Sequence, residues 1–351
     1  MPQPHFPCRP FFRALWLCLG LSGPALAQDS FEWVAEPAFQ DAGSAHHGIV
    51  PLKQGEVWGL MNRQGDWMAE PQFEAVGSPG NGWFPVRLNG KWGILSETGE
   101  VIAGFDYDAI GTPSTYTPMK FQGVWYALGP TLQFDEAPLP LDNLIGNDGT
   151  CMVGSKDGVI VVANRGDTPL DQVYPEIEAI GAPYGGRAGF SVAGKAGFLD
   201  CAHGTITGGE AIHDDVRRYA EDLAAVRRGE GWGYVGIYDN VLELGGSYQN
   251  ARDFAEGLAP VQVEGKWGYI DRSGAFVIAP QFDNAYPFSD GVAGVEVAGK
   301  RGAILPDGRY AATPQFDDFW RHDGGVMPVK VGALWGVIAP CLLYTSPSPR
   351  D

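Results

Sequence analysis

Several residue types in this chain could do chemistry. A glycosidase needs two carboxylates across a cleft, and acids abound, but Asp271, Asp283 and Asp317 recur with the repeat, which points to turn chemistry. The acids that break the pattern are Asp135, Glu136, Asp142, Asp148, Asp214 and Asp215. The histidines after residue 27 are His46, His47, His203, His213 and His322, without metal-ligand spacing. No phosphate loop, Gly-x-Ser-x-Gly or Cys-x-x-Cys occurs, and no cofactor is implied. Lys53, Arg87, Lys120 and Lys330 each stand two residues after a proline, and Arg227 holds the same place where the proline is lost. They would line up as a basic stripe able to hold an anionic partner, or would protect an edge strand from pairing. Trp320 falls outside any repeated pattern and is a candidate exposed platform.

These residues must be carried by β-structure. Residues 257–282 show the unit: an apolar run over 258–263, a Glu-Gly turn, a second run over 267–271, an Asp-Arg-Ser-Gly turn, and a third run over 275–278 stopped by Pro280. A short fourth strand near 283–288 is allowed. Trp-Gly recurs at Trp58, Trp92, Trp232, Trp267 and Trp335, with Trp125-Tyr126 and Arg301-Gly302 as variants and Asp157-Gly158 and Ala196-Gly197 as weaker members. Pro-Gln-Phe recurs at Pro71, Pro280 and Pro314. Nine repeats of about 34 residues are visible, the last cut short, and Pro37-Ala-Phe39-Gln-Asp-Ala42 is a lone half-repeat. The pattern Gly-Lys-Trp-Gly-Tyr-Ile-Asp, then Val-Ile-x-Pro-x-Phe-Asp, resembles the WG-repeat family of bacterial proteins over nearly all of residues 31–340. The resemblance implies a β array used for interaction, with no catalytic residues to carry over.

The expected fold is all-β, with tandem three-stranded units stacked as an open solenoid-like array or closed into a propeller-like ring. The shortness of the repeat favours the open array. Residues 219–228 have helical propensity, but the repeat register makes 223–227 a strand.

Residues 1–27 read as a secretory signal: Arg9 and Arg13, a short apolar core, then Ala25-Leu-Ala27. Residues 341–351 read as a cloning or assembly scar, leaving 28–340 as one repeat domain. The net charge of −18, or −20 without the leader, argues against nucleic-acid and anionic-membrane partners. Cys151 and Cys201 are the only cysteines in 28–340, and in an oxidising compartment they either pair or remain buried thiols. The expectation is an exported, periplasmic or extracellular bacterial scaffold. It would bind a protein or an envelope glycan without catalysis; the alternatives are a glycan-binding module and a glycan hydrolase using a carboxylate pair in the irregular middle.

Overall fold

The computed structural model describes residues 31–340 apart from residues 136, 150, 166–169, 208–209 and 237–241. The leader, the terminal tail and Glu136 therefore lie outside the described residues. These residues contain no helix and form nine antiparallel sheets, eight of four strands and one of three.

Residues 250–282 show how a sheet is specified. Its strands are Asn250–Ala251, Leu258–Val263, Lys266–Asp271 and Phe276–Phe282. The tight turn is Glu264 and Gly265, both left-handed at φ 51° and 77°, the geometry a two-residue hairpin demands. Asp271 caps the wider turn by accepting the N–H groups of Ser273 (2.8 Å) and Ala275 (3.1 Å). The fourth strand does not stop at Pro280. It pairs Ile278 with Tyr269 and Phe282 with Trp267, so four residues on one strand span two on the other. The extra residues swell across Gly268, where a Cβ would stand 2.5 Å from Ile278 O and 2.7 Å from Pro280 N. Pro280 sits in this bulge, where no ladder N–H is required. Gly59, Gly93, Gly302 and Gly336 lie under the same crossing. The glycine of Trp-Gly is thus fixed by a neighbouring backbone.

The three-strand unit needs correction to four. In most units the added strand is two residues long; Asn284–Ala285, for example, follows the preceding unit's fourth strand after one residue. In the fourth sheet Ser155 pairs with Ile160, so Ile160-Val161 holds the Trp-Gly place and Asp157-Gly158 is the hairpin turn. Leu223–Arg228 is strand despite its helical composition.

The core lies between sheets. Leu258, Trp267, Tyr269, Ile278 and Phe282 of one pack against Ala285, Phe288, Ala293, Val295 and Ile304 of the next. Each unit therefore needs neighbours on both sides. A closed ring, not the open array, meets that need for the end units. The half-repeat supplies the ninth sheet with its fourth strand: Phe31–Phe39 pairs antiparallel with Leu334–Pro340, from Phe31 opposite Pro340 to Phe39 opposite Trp335. Phe39, Ala42, Val50 and Leu52 then pack with Val326, Trp335 and Val337, joining the ninth blade to the first. The turns repeat the seam: Gly291 N–H bonds Glu256 (3.0 Å), Gly324 N–H bonds Asp290 (2.6 Å), and His47 N–H bonds Asp323 (2.8 Å) across the closure. The fold is a nine-bladed β-propeller.

A second clasp recurs at all nine blades. The residue immediately before the first strand of each blade accepts the N–H of that blade's hairpin turn. These acceptors are Gln40, Glu74, Asp108, Asp142, Glu178, Asp214, Gln249, Asp283 and Asp317, at 2.6 to 3.1 Å. Asp108, Asp214, Asp283 and Asp317 also bond Lys91, Lys195, Lys266 and Lys300 of the preceding blade at 2.5 to 2.6 Å. The lysine bond first, and the turn N–H second, hold these four carboxyls below their ordinary value. A folded pKa depressed below the unfolded one adds stability that is present above about pH 4 and is lost as pH falls through the folded value. Urea midpoints measured from neutral to strongly acid pH should fall in that window. Replacing all four aspartates by asparagine, which keeps the turn acceptor, should flatten the fall.

Candidate binding site in the central channel

The residue three positions past the start of a blade's short strand lies where the blades converge. Ser44, Arg218, Asp253, Pro287 and Arg321 hold this position in the first, sixth, seventh, eighth and ninth blades, and all five line one cavity of about 460 Å³. Tyr184 enters from the fifth blade, and Trp320, Tyr286, Phe319 and His322 complete its walls. In a closed ring six blades meet only at the axis, so the cavity lies in the central channel.

Its chemistry is mixed. Arg218 donates from Nε to Asp253 Oδ2 and lies 4.4 Å over the Tyr184 ring. Arg301 is paired with Asp318. Arg321 is exposed and has no ion-pair partner among the described residues. Trp320, 42 % exposed, stacks on Trp335 with centroids 6.4 Å apart. Tyr286 packs edge-on to Phe319 at 5.1 Å. Gly294 is required beneath Phe319, since a Cβ there would meet the ring at 2.0 Å.

Two acceptors at this cavity are left over. His322 is 2 % exposed; its Nδ1 donates to Ser289 O at 3.0 Å, which leaves a lone pair on Nε2. Nε2 is buried without a partner, as is Oδ1 of Asp253. Burial lowers the His322 pKa, so the ring is neutral and Nε2 can accept. Buried polar atoms without partners are uncommon and costly. The cavity thus offers a guanidinium without an ion-pair partner among the described residues for an anion and an indole face for a flat apolar surface, while the two orphan acceptors lie buried in residues of its wall.

The family model described as "WG containing repeat" matches residues 58–92, 247–267 and 267–300. These three segments are WG-containing repeats. Curated proteins yield no match. Among solved structures, one titled as the eukaryotic initiation factor aligns with a TM-score of 0.54 at 12 % identity, covering 83 % of this chain and 93 % of that one, a likeness of fold alone. The WD40 domain of SCAP from fission yeast aligns at 0.44 and 8 % identity, covering 90 % and 99 %.

The WG repeats place the remaining sequence candidates elsewhere. Lys53, Arg87, Lys120, Arg227 and Lys330 sit one per blade, each opposite the tryptophan of its own hairpin. They lie on the second strand, paired on both sides, so they protect no edge. Lys120 and Lys330 lie 5.7 and 5.8 Å over Trp125 and Trp335, and Arg87 bonds Glu74 at 2.9 Å. Closure makes Lys330, Lys53, Arg87 and Lys120 neighbours on four successive blades.

Of the acids read as breaking the pattern, Asp142 and Asp214 in fact hold the recurring clasp position, and the other described ones are engaged by neighbours. Asp135 pairs with Arg165, Asp214 with Lys195, Asp142 and Asp148 accept turn N–H groups, and Asp215 accepts the N–H of Val216. His46 and His47 stack at 4.1 Å, and His47 bonds Glu97. Among the described residues no cluster of three or more His, Cys, Asp or Glu converges on a metal position. Cys151 and Cys201 form a disulfide with Cα atoms 5.8 Å apart, joining the fourth and fifth blades. Sequence reasoning singled out Trp320 but missed Arg218, Asp253, Arg321 and His322. Their signal is positional: equal offsets from each short strand, visible only when the repeats are aligned in register.

Proposed function

We propose that this protein is an exported, non-catalytic binding scaffold of the bacterial periplasm or surface that takes an acidic glycan of the cell envelope into its channel. The observation that carries this reading is the convergence on one cavity of Trp320 and of Arg321, which has no ion-pair partner among the described residues. Its volume of about 460 Å³ suits one or two sugar rings. A pyranose offers an apolar face to the indole and, as a uronic acid, a carboxylate to Arg321. The Cys151–Cys201 bond supports export, because such bonds persist in oxidising compartments.

Calorimetry against uronic-acid oligosaccharides and their neutral counterparts tests the reading. Acidic oligosaccharides should bind without product release, and Arg321→Ala and Trp320→Ala should each weaken binding by about tenfold. No binding, or binding indifferent to both changes, rejects the channel as the glycan site. Product release would make the protein a hydrolase. Charge reversal at Arg87 and Lys120 distinguishes a partner held on the outer basic positions, which it would abolish, from one held in the channel.

A further inference from the structure

The third blade is the one sheet that lacks a fourth strand among the described residues; its strands are Ala109–Ile110, Thr117–Phe121 and Val124–Leu128. Residues 129–135 and 137–142 bond the open edge at scattered points, from Asp135 N–H to Ala127 O (3.0 Å) and from Leu139 N–H to Trp125 O (2.8 Å). This accounts for the broken motif at Trp125-Tyr126. Elsewhere the glycine after tryptophan is fixed by the strand crossing over it. Here no fourth strand crosses among the described residues, and the Tyr126 ring packs against Phe134.

The result is an aromatic cup. Tyr107, which ends the second blade's last strand, Phe121, Tyr126 and Phe134 line a hollow of about 390 Å³ with Asp106 and Asp135. Ring centroids are 6.1 Å apart for Tyr107–Phe121, 5.9 Å for Tyr107–Phe134 and 6.1 Å for Tyr126–Phe134. The planes are inclined at 61°, 45° and 71°, so the rings pack edge to face or tilted against one another and the hollow lies over the group they form. Phe121 and Phe134 are 39 % and 41 % exposed, which leaves the cup open to solvent. Its described lining residues include no cationic side chain. Asp135 is paired with Arg165 at 3.2 Å, while Asp106 is exposed with no ion-pair partner among the described residues.

We propose that this cup binds a trimethylammonium group. Ring faces carry negative potential and attract a cation within about 6 Å of their centroids. A primary ammonium would have to shed water that the rings cannot replace. A methylated ammonium is weakly hydrated, and its methyl groups can lie against the ring surfaces that line the hollow. The Asp106 carboxylate at the rim supplies charge that an uncharged apolar guest would not use. The ligand class is a small soluble trimethylammonium compound, and the same head group on a lipid shares this chemistry.

Titration of the full chain with choline and with 3,3-dimethyl-1-butanol, its neutral isostere, followed by ligand-observed NMR, tests the assignment. Choline should bind at least about tenfold more tightly than the isostere. Phe134→Ala and Asp106→Asn should each weaken choline binding by about fivefold, whereas Arg321→Ala should leave it unchanged, which keeps this test separate from the channel. Equal binding of the isostere overturns the proposal, as does choline binding indifferent to Phe134→Ala in a variant with unchanged circular dichroism. Choline-competed flotation with phosphatidylcholine vesicles would support the same cup with a lipid as the source of the head group.

Discussion

Removal of residues 31–39 is expected to open the ring and cost roughly 5 kcal/mol or more. The deletion takes the fourth strand from the ninth blade. It also removes Phe39 from the core shared by the ninth and first blades, and Phe31 and Trp33 from the core shared by the eighth and ninth. Each large apolar side chain brought out of contact forfeits about 1.5–3 kcal/mol, and several are lost together. The freed edge of Leu334–Pro340 would expose unpaired backbone groups next to apolar surface, a template for aggregation. Small-angle scattering of the truncated protein should show an expanded, asymmetric particle. A synthetic peptide of residues 31–40, added in excess, should restore the compact profile by taking the vacant strand position. A truncated protein with the unaltered scattering curve would refute closure through this strand.

The second large effect concerns Cys151 and Cys201. Both are buried, at 1 % and 0 % exposure, among Val153, Val162, Phe190 and Leu199. The bond closes a segment with a sequence separation of 50, and the chain-entropy relation gives about 4 kcal/mol for a loop of that length. It lies where the repeat is weakest: the fifth blade's fourth strand is only Thr205–Ile206. Reduction, or Cys→Ala at both positions, should lower the urea midpoint accordingly, with the first loss of hydrogen-exchange protection in the fourth and fifth blades. Coincident midpoints for oxidised and reduced protein, together with two free thiols counted under denaturing conditions, would exclude the bond.

The hairpins were legible because their determinants are local. Glu264-Gly265 and Asn89-Gly90 need left-handed backbone, and Asp271 needs only its own turn. Ring closure was harder to read. The half-repeat at Pro37 was visible, as was the apparent shortage at the end of the ninth unit, yet nothing in either segment states that one completes the other. Pro280 was misread as a strand end because its effect depends on a bulge over Gly268, a contact between strands. The channel was least legible. Ser44, Arg218, Asp253, Pro287 and Arg321 share no chemistry, only an offset from the short strand, and it takes the ring to gather them. Trp320 was the exception, conspicuous because it falls outside the recurring motif. The aromatic cup had one faint trace, the tyrosine at the glycine position after Trp125.

The half-unit offset at the clasp also has an evolutionary consequence. The ninth blade is shared between the two ends of the described chain, so the seam does not depend on the number of units between them. Unequal recombination that duplicates or deletes one internal unit would leave both halves of the clasp intact, and the interfaces between units would still match. Such an event changes the circumference and the bore of the channel in one step, without passing through an unclosed intermediate. Relatives with other blade counts are therefore accessible by a single genetic exchange, and the lining of the channel would be the feature most altered by it.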